Sequence, residues 1–287
     1  MEYGLIGRKL GHSFSKEIHE NIGKYNYDLI ELDEKQFIEF MQKKEFKAIN
    51  VTIPYKEQVI PYLHYIQKEA KKINAVNTII NKNGLLYGYN TDYYGLKEMV
   101  SFFNIDVYDK NVLILGTGGT SKTVTQVLKD LNVKNITYAS TSKKENTISY
   151  EQIDSIKQNI EVLINTTPFE MYPNNEREII SLERFNLKGV IDVIYNPLNS
   201  NLILKAKQQN INCCSGLYML VAQAFYAIEM FINAKLDKRL IEATYYDLLK
   251  QKQNIVFIGM PSSGKTTIGM KLSKLIICLI LKATLMC

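Results

Sequence analysis

The chain has 287 residues, 46% of them apolar, and a formal net charge of +6 from 35 Lys+Arg against 29 Asp+Glu. That length allows two domains with a sizeable core, and the composition excludes a disordered chain. The positive charge does not point to nucleic acid: only four residues are arginine and no block of five or six like charges occurs, so it reads as a solvated lysine-rich surface.

The N-terminus, MEYGLIG, reads as a strand and lacks the basic start and apolar run of a secretory signal. Further strands are expected at Tyr3–Ile6, Tyr27–Glu31, Ala48–Val51 and Val76–Ile80, with helices starting near Ser15 and Glu34. A polar stretch around 104–110 leads into NVLILG, whose continuous apolar run suits a buried parallel strand. ITYAS, VLIN, GVIDVIY and INCCS follow as strands, then long helical patterns over 216–233 and 237–253, and a last strand, NIVFIG, opens at Asn254. This alternation predicts an α/β fold: an N-terminal α/β domain plus a Rossmann-type dinucleotide-binding domain.

Cys213, Cys214, Cys278 and Cys287 form no CxxC pair, and His12, His19 and His64 are scattered, so neither a zinc site nor a disulfide framework is expected. The apolar run from Leu275 to Cys287 is broken by Lys282 and is shorter than the ~20 residues of a membrane span. A cytoplasmic protein without membrane or nucleic-acid partners is the expectation.

NVLILGTGGTSKTVTQVL sets Gly116, Gly118 and Gly119 between a buried strand and a helix. Glycines there let the backbone approach a pyrophosphate, and the free N–H groups of the helix start favour anionic oxygens. The following strand ends in Ser140, Thr141, Ser142, Lys143 and Lys144, where an NAD enzyme usually carries a carboxylate for the ribose. Hydroxyls and ammonium groups suit a 2′-phosphate, which predicts NADP over NAD.

A second polar set falls at strand ends and helix starts: Gly11-His12-Ser13-Phe14-Ser15, Asn50-Val51-Thr52-Ile53-Pro54-Tyr55-Lys56, Asn74-Ala75-Val76-Asn77-Thr78 and Gly88-Tyr89-Asn90-Thr91-Asp92. Taken singly, Ser15 and Asp92 read as helix caps and Lys56 as a surface lysine. Together, beside a dinucleotide loop, they read as a site.

The segments GHSFSKEIH, NVTIPYK, NAVNT, GYNTD, the glycine-rich loop, NTTP, DVIYNP and GLYMLVAQAF span residues 4 to about 231 in the order found in shikimate dehydrogenases, which the chain resembles. The resemblance implies reversible NADPH-dependent reduction of 3-dehydroshikimate to shikimate by a monomer or homodimer, or a quinate/shikimate dehydrogenase using either cofactor. It implies Lys56 and Asp92 as the catalytic pair. Ser13 and Ser15 would hold the substrate carboxylate, and Thr52, Asn77, Tyr195 and Gln223 would bind the carboxylate or ring hydroxyls. Thr166 of NTTP and Gly216 would lie near the cofactor. The implied division is a substrate domain at 1–103, completed by about 232–252, and a Rossmann NADP-binding domain at 104–231. Four departures stand out: Lys16 for the family's Pro, Glu20 for Asn, Ser140-Thr141-Ser142 for Asn-Arg-Thr, and Glu170 for Gly. The third removes the arginine that clamps the 2′-phosphate and leaves Lys143 as a point charge. The fourth predicts either weakened cofactor binding or a backbone conformation that glutamate tolerates poorly.

Near the C-terminus, Gly259-Met260-Pro261-Ser262-Ser263-Gly264-Lys265-Thr266 is a phosphate-binding loop: backbone N–H groups for phosphates, Lys265 for the terminal ones, Thr266 for magnesium. It resembles the start of a shikimate kinase. After Leu275 the sequence, IICLILKATLMC, loses that resemblance, so 253–287 is expected to be a truncated kinase fragment without activity. A phosphotransferase and a non-catalytic dinucleotide-binding module are the competing classes; the second leaves Lys56 and Asp92 unexplained.

Overall fold

A computed structural model of the chain describes residues 1–11, 14–142, 146–171, 178–183, 185–252, 258–260 and 263–276. It divides into two compact units, Met1–Leu248 and Leu249–Cys287.

The first unit begins with β1 (Tyr3–Gly7), α1 (Phe14–Gly23), β2 (Asp28–Glu31), α2 (Glu34–Lys43), β3 (Ala48–Val51), β4 (Tyr65–Ile66), α3 (Lys68–Ile73), β5 (Thr78–Lys82), β6 (Leu85–Tyr89) and α4 (Thr91–Phe102). Its sheet runs β2-β1-β3-β5-β6-β4. β1 is parallel to β2 and β3, while β5 is antiparallel to β3 and β6. α2 starts on a capping box in which Asp33 and Gln36 exchange side-chain and backbone hydrogen bonds. The β5–β6 return turns on Asn83 and Gly84, both at positive φ, as a two-residue type I′ hairpin requires. The expected strand at Val76–Ile80 is therefore the first arm of a hairpin.

A second sheet follows: β7 (Asn111–Leu115), α5 (Gly119–Asp130), β8 (Asn135–Ala139), β9 (Thr147–Ile148), β10 (Val162–Asn165), β11 (Gly189–Asp192), α6 (Asn201–Gln208) and β12 (Cys213–Ser215). All its strands are parallel, in the order β12-β11-β10-β7-β8-β9. β7, β10 and β11 are buried along nearly their whole length, which explains their unbroken apolar runs. The α/β architecture expected from the sequence is what the chain adopts.

The chain then enters α7 (Leu217–Ile232) and α8 (Arg239–Lys252). α7 lies against α1 and α4. Gly95 makes this possible, because a Cβ there would sit 2.6 Å from the Met219 carbonyl oxygen. Phe231 and Ala227 close a core with Leu5, Tyr27 and Ala48. No described helix is long and apolar enough to cross a membrane.

Both sheets reverse their winding once. In the first, the chain moves from β1 to β2 and then returns to the other side as β3. In the second, it moves from β7 to β8 and β9 and returns as β10. Open α/β sheets bind ligands at the carboxyl ends of strands flanking such a reversal. The segments after β1, β3, β7 and β10 are therefore where a site is expected.

The second unit contains α9 (Lys265–Ile276), preceded by the glycine loop at 259–264. The strand expected at Asn254 lies mostly outside the described residues.

Candidate active site

A cavity of about 390 Å³ opens at the reversal point of the first sheet. Ser15, Thr52, Lys56, Asn77, Asp92, Tyr195, Gly216 and Gln223, all singled out in the sequence, line it. Ser13 and Lys143 lie outside the described residues. Gly116, Gly118, Gly119, Ser140, Thr141 and Thr166 sit beyond the lining, at the ends of β7, β8 and β10, while Thr120 from α5 reaches the cavity wall.

The Lys56 ammonium donates to Asp92 Oδ2 at 2.7 Å, with side chains 25% and 16% exposed. Lys56 is held by the turn that leaves β3, where Val76 N–H donates to its carbonyl. Asp92 lies in the first turn of α4, whose dipole favours a carboxylate there. The cap of that helix is Asn90, which accepts from Tyr93 N–H at 3.1 Å and donates to the Ala75 carbonyl. Asp92 is thus free of a capping duty and turned to the lysine. Ser15, likewise, stands inside α1 rather than at its cap.

Asn77 is the hub of a buried polar web. Its Oδ1 accepts from Thr91 N–H at 2.7 Å and from the Thr78 hydroxyl at 3.0 Å. Asn50 donates to the Asn77 carbonyl and to Thr78 Oγ1, and accepts from the Tyr27 hydroxyl at 2.7 Å. The Thr91 hydroxyl reaches Gln223 Oε1 at 3.5 Å, tying α7 into the web. Buried polar groups are costly unless paired, so these shared hydrogen bonds hold the side chains in one arrangement. Asn50 and Thr91 fall within the segments that read as a site in the sequence, but no role of their own is legible there. Their signal was an amide inside the apolar run AINV and a threonine next to a candidate acid.

Tyr195 packs its ring 5.6 Å from Phe14, and burial raises its phenol above the ordinary value, so it lines the cavity neutral. Gly216 is fixed by close approach: a Cβ there would stand 2.0 Å from the Val193 carbonyl oxygen.

Two departures in α1 form a set. Lys16 and Glu20 pair at 3.2 Å, Lys16 donates to the Tyr27 carbonyl, and Glu20 accepts from Tyr27 N–H. They pin the backbone of the tyrosine whose hydroxyl holds Asn50.

At the end of β7, Gly116 has φ +94, and a Cβ there would meet Thr167 Cγ2 at 2.7 Å. Space around Gly118 and Gly119 is open, and α5 has no side-chain cap at Gly118. Bare N–H groups at a helix start with room in front of them fit a pyrophosphate. Thr166 donates its hydroxyl to the Leu115 carbonyl at 2.7 Å, joining β10 to β7 across the reversal point. Ser140 Oγ lies 3.5 Å from Thr117 Oγ1 and 3.0 Å from Ser142 Oγ, giving a rim of hydroxyls after β8.

Glu170 has φ +70, the left-handed conformation that favours glycine. Its carboxylate is fully buried and accepts from Ile179 N–H and Leu202 N–H, each at 2.9 Å. Of the two consequences expected for this departure, the backbone one is present. Both carboxylate oxygens are engaged within the protein, the second at the start of α6.

In the second unit, Gly264 has φ +81 and α9 opens at Lys265. The Lys265 ammonium donates to the carbonyls of Gly259 (2.6 Å) and Met260 and to Ser263 Oγ (3.3 Å), folding back over its own loop, and Thr266 is exposed. Pro261 and Ser262 lie outside the described residues.

Residues 5–79 match the profile of the shikimate dehydrogenase substrate binding domain. Over 267 residues the chain is 38% identical to the shikimate dehydrogenase (NADP(+)) of Clostridium perfringens strain 13, covering 86% of this chain and 97% of that protein. Among solved structures, shikimate dehydrogenase 1 from Peptoclostridium difficile is 35% identical with a TM-score of 0.79, covering 88% of this chain and all of that one. A chorismate mutase/shikimate 5-dehydrogenase fusion protein from Clostridium acetobutylicum is 33% identical with a TM-score of 0.82, over 87% of this chain and 97% of that one.

Proposed function

The chain belongs to the shikimate dehydrogenase family, and from that premise we propose that it catalyses the reversible, NADPH-dependent reduction of 3-dehydroshikimate to shikimate. The observation that carries this reading is the Lys56–Asp92 pair at 2.7 Å in a cavity whose wall includes Thr120 and Gly216 from the second sheet's side.

Reducing a ring ketone requires hydride at carbon and a proton at oxygen. NADPH, when bound, supplies the hydride. Lys56, with its ammonium held by Asp92, stabilises the negative charge that grows on the carbonyl oxygen and delivers the proton there. Asp92 holds and orients the ammonium. Ser13 and Ser15 receive the substrate carboxylate, and Thr52, Asn77, Tyr195 and Gln223 hold the carboxylate or ring hydroxyls. The polar web around Asn77 supports this role by fixing its amide before substrate arrives. For the cofactor, Gly116, Gly118 and Gly119 would admit the pyrophosphate, and Ser140, Thr141 and Lys143 would be the partners of the 2′-phosphate. Thr166 would contact the cofactor, and Gly216 would lie near its nicotinamide. The name of the Clostridium perfringens relative supports NADP over NAD.

Residues 1–103, completed by about 232–252, form the substrate lobe in this reading, and 104–231 form the dinucleotide lobe, with α7 reaching back to α1 and α4. Residues 253–287 are read as the start of a phosphate-loop kinase, supported by the left-handed Gly264 and the helix opening at Lys265. Absorbance of reduced nicotinamide, followed with shikimate or quinate and each cofactor, tests the main reading. Turnover of shikimate with NADP⁺ is expected; its absence, or a clear preference for quinate, overturns it. Calorimetric titration of the whole chain with ATP tests the kinase-like segment, for which no heat of binding would count against the loop.

A further inference from the structure

We infer that Lys9 is a further substrate-binding residue, a counter-ion for the substrate carboxylate. The inference rests on the shikimate dehydrogenase reading and adds a residue that none of the motifs above contains.

Among the described residues, three charged side chains line the cavity: Lys9, Lys56 and Asp92. Lys56 and Asp92 neutralise each other at 2.7 Å, and Tyr195 is kept neutral by burial. Among the described residues, no carboxylate pairs with the Lys9 ammonium. The described lining therefore carries one uncompensated positive charge, and the proposed substrate carries one negative charge.

The placement of Lys9 follows from the fold. It lies directly after β1, at the reversal point of the first sheet, opposite the segment after β3 that carries Thr52 and Lys56. Its backbone is pinned on both sides: Arg8 N–H donates to the Ile53 carbonyl at 3.2 Å, and Leu10 N–H donates to Glu31 Oε1 at 2.8 Å. Glu31 thus spends one oxygen on the backbone and does not line the cavity. The lysine stem leaves a fixed point, and Lys9, exposed to solvent, lines the same cavity as Ser15. A charged donor strengthens a hydrogen bond to a carboxylate beyond what a hydroxyl provides, and it discriminates against uncharged ring alcohols.

The test uses the whole chain, with initial rates of shikimate oxidation by NADP⁺ for the wild type, Lys9→Met and Lys9→Arg. Lys9→Met is expected to raise KM for shikimate by roughly 10-fold, as for loss of one charge-assisted bond, with the effect falling on KM rather than kcat. Lys9→Arg is expected to rescue it to within about 3-fold, since the charge persists. The methyl ester of shikimate, which lacks the negative charge, should show the same KM in wild type and Lys9→Met. Thermal unfolding of the two variants is expected to match the wild type. Equal shikimate KM in wild type and Lys9→Met sinks the inference. So does a rise confined to the KM for NADP⁺, which would give the ammonium to a cofactor phosphate. A wild type that does not turn over shikimate at all defeats the parent reading instead, before any variant is compared.

Discussion

Around the first sheet's crevice, chemistry is carried by side chains locked into a buried web; around the second it is carried by bare backbone. Asn50, Asn77, Thr78 and Thr91 hold one another and leave Lys56 and Asp92 turned to the cavity. At the second crevice Gly116, Gly118 and Gly119 contribute absence: no Cβ, no cap and open N–H groups. In the function proposed above, the difference follows from the ligands. A small ring acid is recognised by placing donors and acceptors one at a time, whereas a pyrophosphate is received by any helix start that lets it come close. Substitutions should therefore act differently at the two places.

The largest expected effect is at Lys56. Lys56→Ala should lower kcat by roughly 10²–10⁴, the range for a positioned acid–base group. Steady-state kinetics with shikimate and NADP⁺ check this, and near-wild-type turnover would remove Lys56 from the mechanism. Asp92 would then lose its assigned role as well, since its one described partner in the cavity is that ammonium.

How legible this was depends on the material. The parallel strands β7, β10 and β11 were readable because burial on both faces leaves an unbroken apolar run. The Lys56–Asp92 pair was readable only through the motifs around it, because the two lie 36 residues apart and nothing local draws them together. β4 and β9, at two residues each, are too short for any periodicity. β6 was missed although Asn83-Gly84 marks its hairpin turn. The segments that build the web around Asn77 were legible as a polar set, but its bonding was not: that depends on which polar side chains the folded sheet buries together.

The two crevices should also respond to pH with opposite sign. Beside the first, His19 is fully buried, with Nδ1 2.7 Å from the Tyr25 hydroxyl and its ring stacked 4.0 Å from that of Tyr27. Burial lowers its pKa to about 3, and its Nε2 has no hydrogen-bond partner. The unfolded chain takes up this proton first, so stability present above pH 6.5 is lost as pH falls toward 3. At pH 4 the loss is about 3 kcal/mol. Because Tyr27 holds Asn50, acid should disturb the substrate side. His19→Phe should flatten the acid arm of a plot of Tm against pH; an unchanged arm would mean that another group is responsible.

Beside the second crevice, burial raises Asp192 to about 6 and the charge of Glu170 adds to this, against hydrogen bonds from Ser200, Ile194 and Asn165. Here the folded chain holds the proton more tightly. Stability is present below about pH 4 and is lost as pH rises to 6, by about 2–3 kcal/mol. Asp192→Asn should remove that decline. Guanidinium unfolding at pH 4.5 and 7 would measure it, and an equal difference between the two pH values in both proteins would exclude Asp192.

A smaller effect is expected from Gly116→Ala. The left-handed φ and the 2.7 Å approach to Thr167 make any Cβ costly, by about 1–2 kcal/mol. The backbone-built crevice should show this as a higher KM for NADP⁺ with KM for shikimate little changed. A rise in both would mean that the crevices are not separable in this way.

The smallest effect, and the finest test, lies at Glu170→Gly. Glycine would relieve the strain of φ +70, worth about 1 kcal/mol. It would also strip the acceptor from the buried Leu202 N–H, costing about 1–3 kcal/mol, and from the part-buried Ile179 N–H, whose loss costs less because water can take the carboxylate's place. The Leu202 N–H opens α6, where a carboxylate also gains from the helix dipole. Removing the charge should ease the upward push on Asp192, returning part of the loss near neutral pH. The balance is a net destabilisation of about 1 kcal/mol, after offsetting the relieved strain against the lost bonds. KM for NADP⁺ should stay put, because the carboxylate is buried with both oxygens engaged. A glycine variant that is more stable than the wild type would show that strain outweighs the bonds. One that binds NADP⁺ more tightly would return Glu170 to the cofactor crevice as a repelling charge.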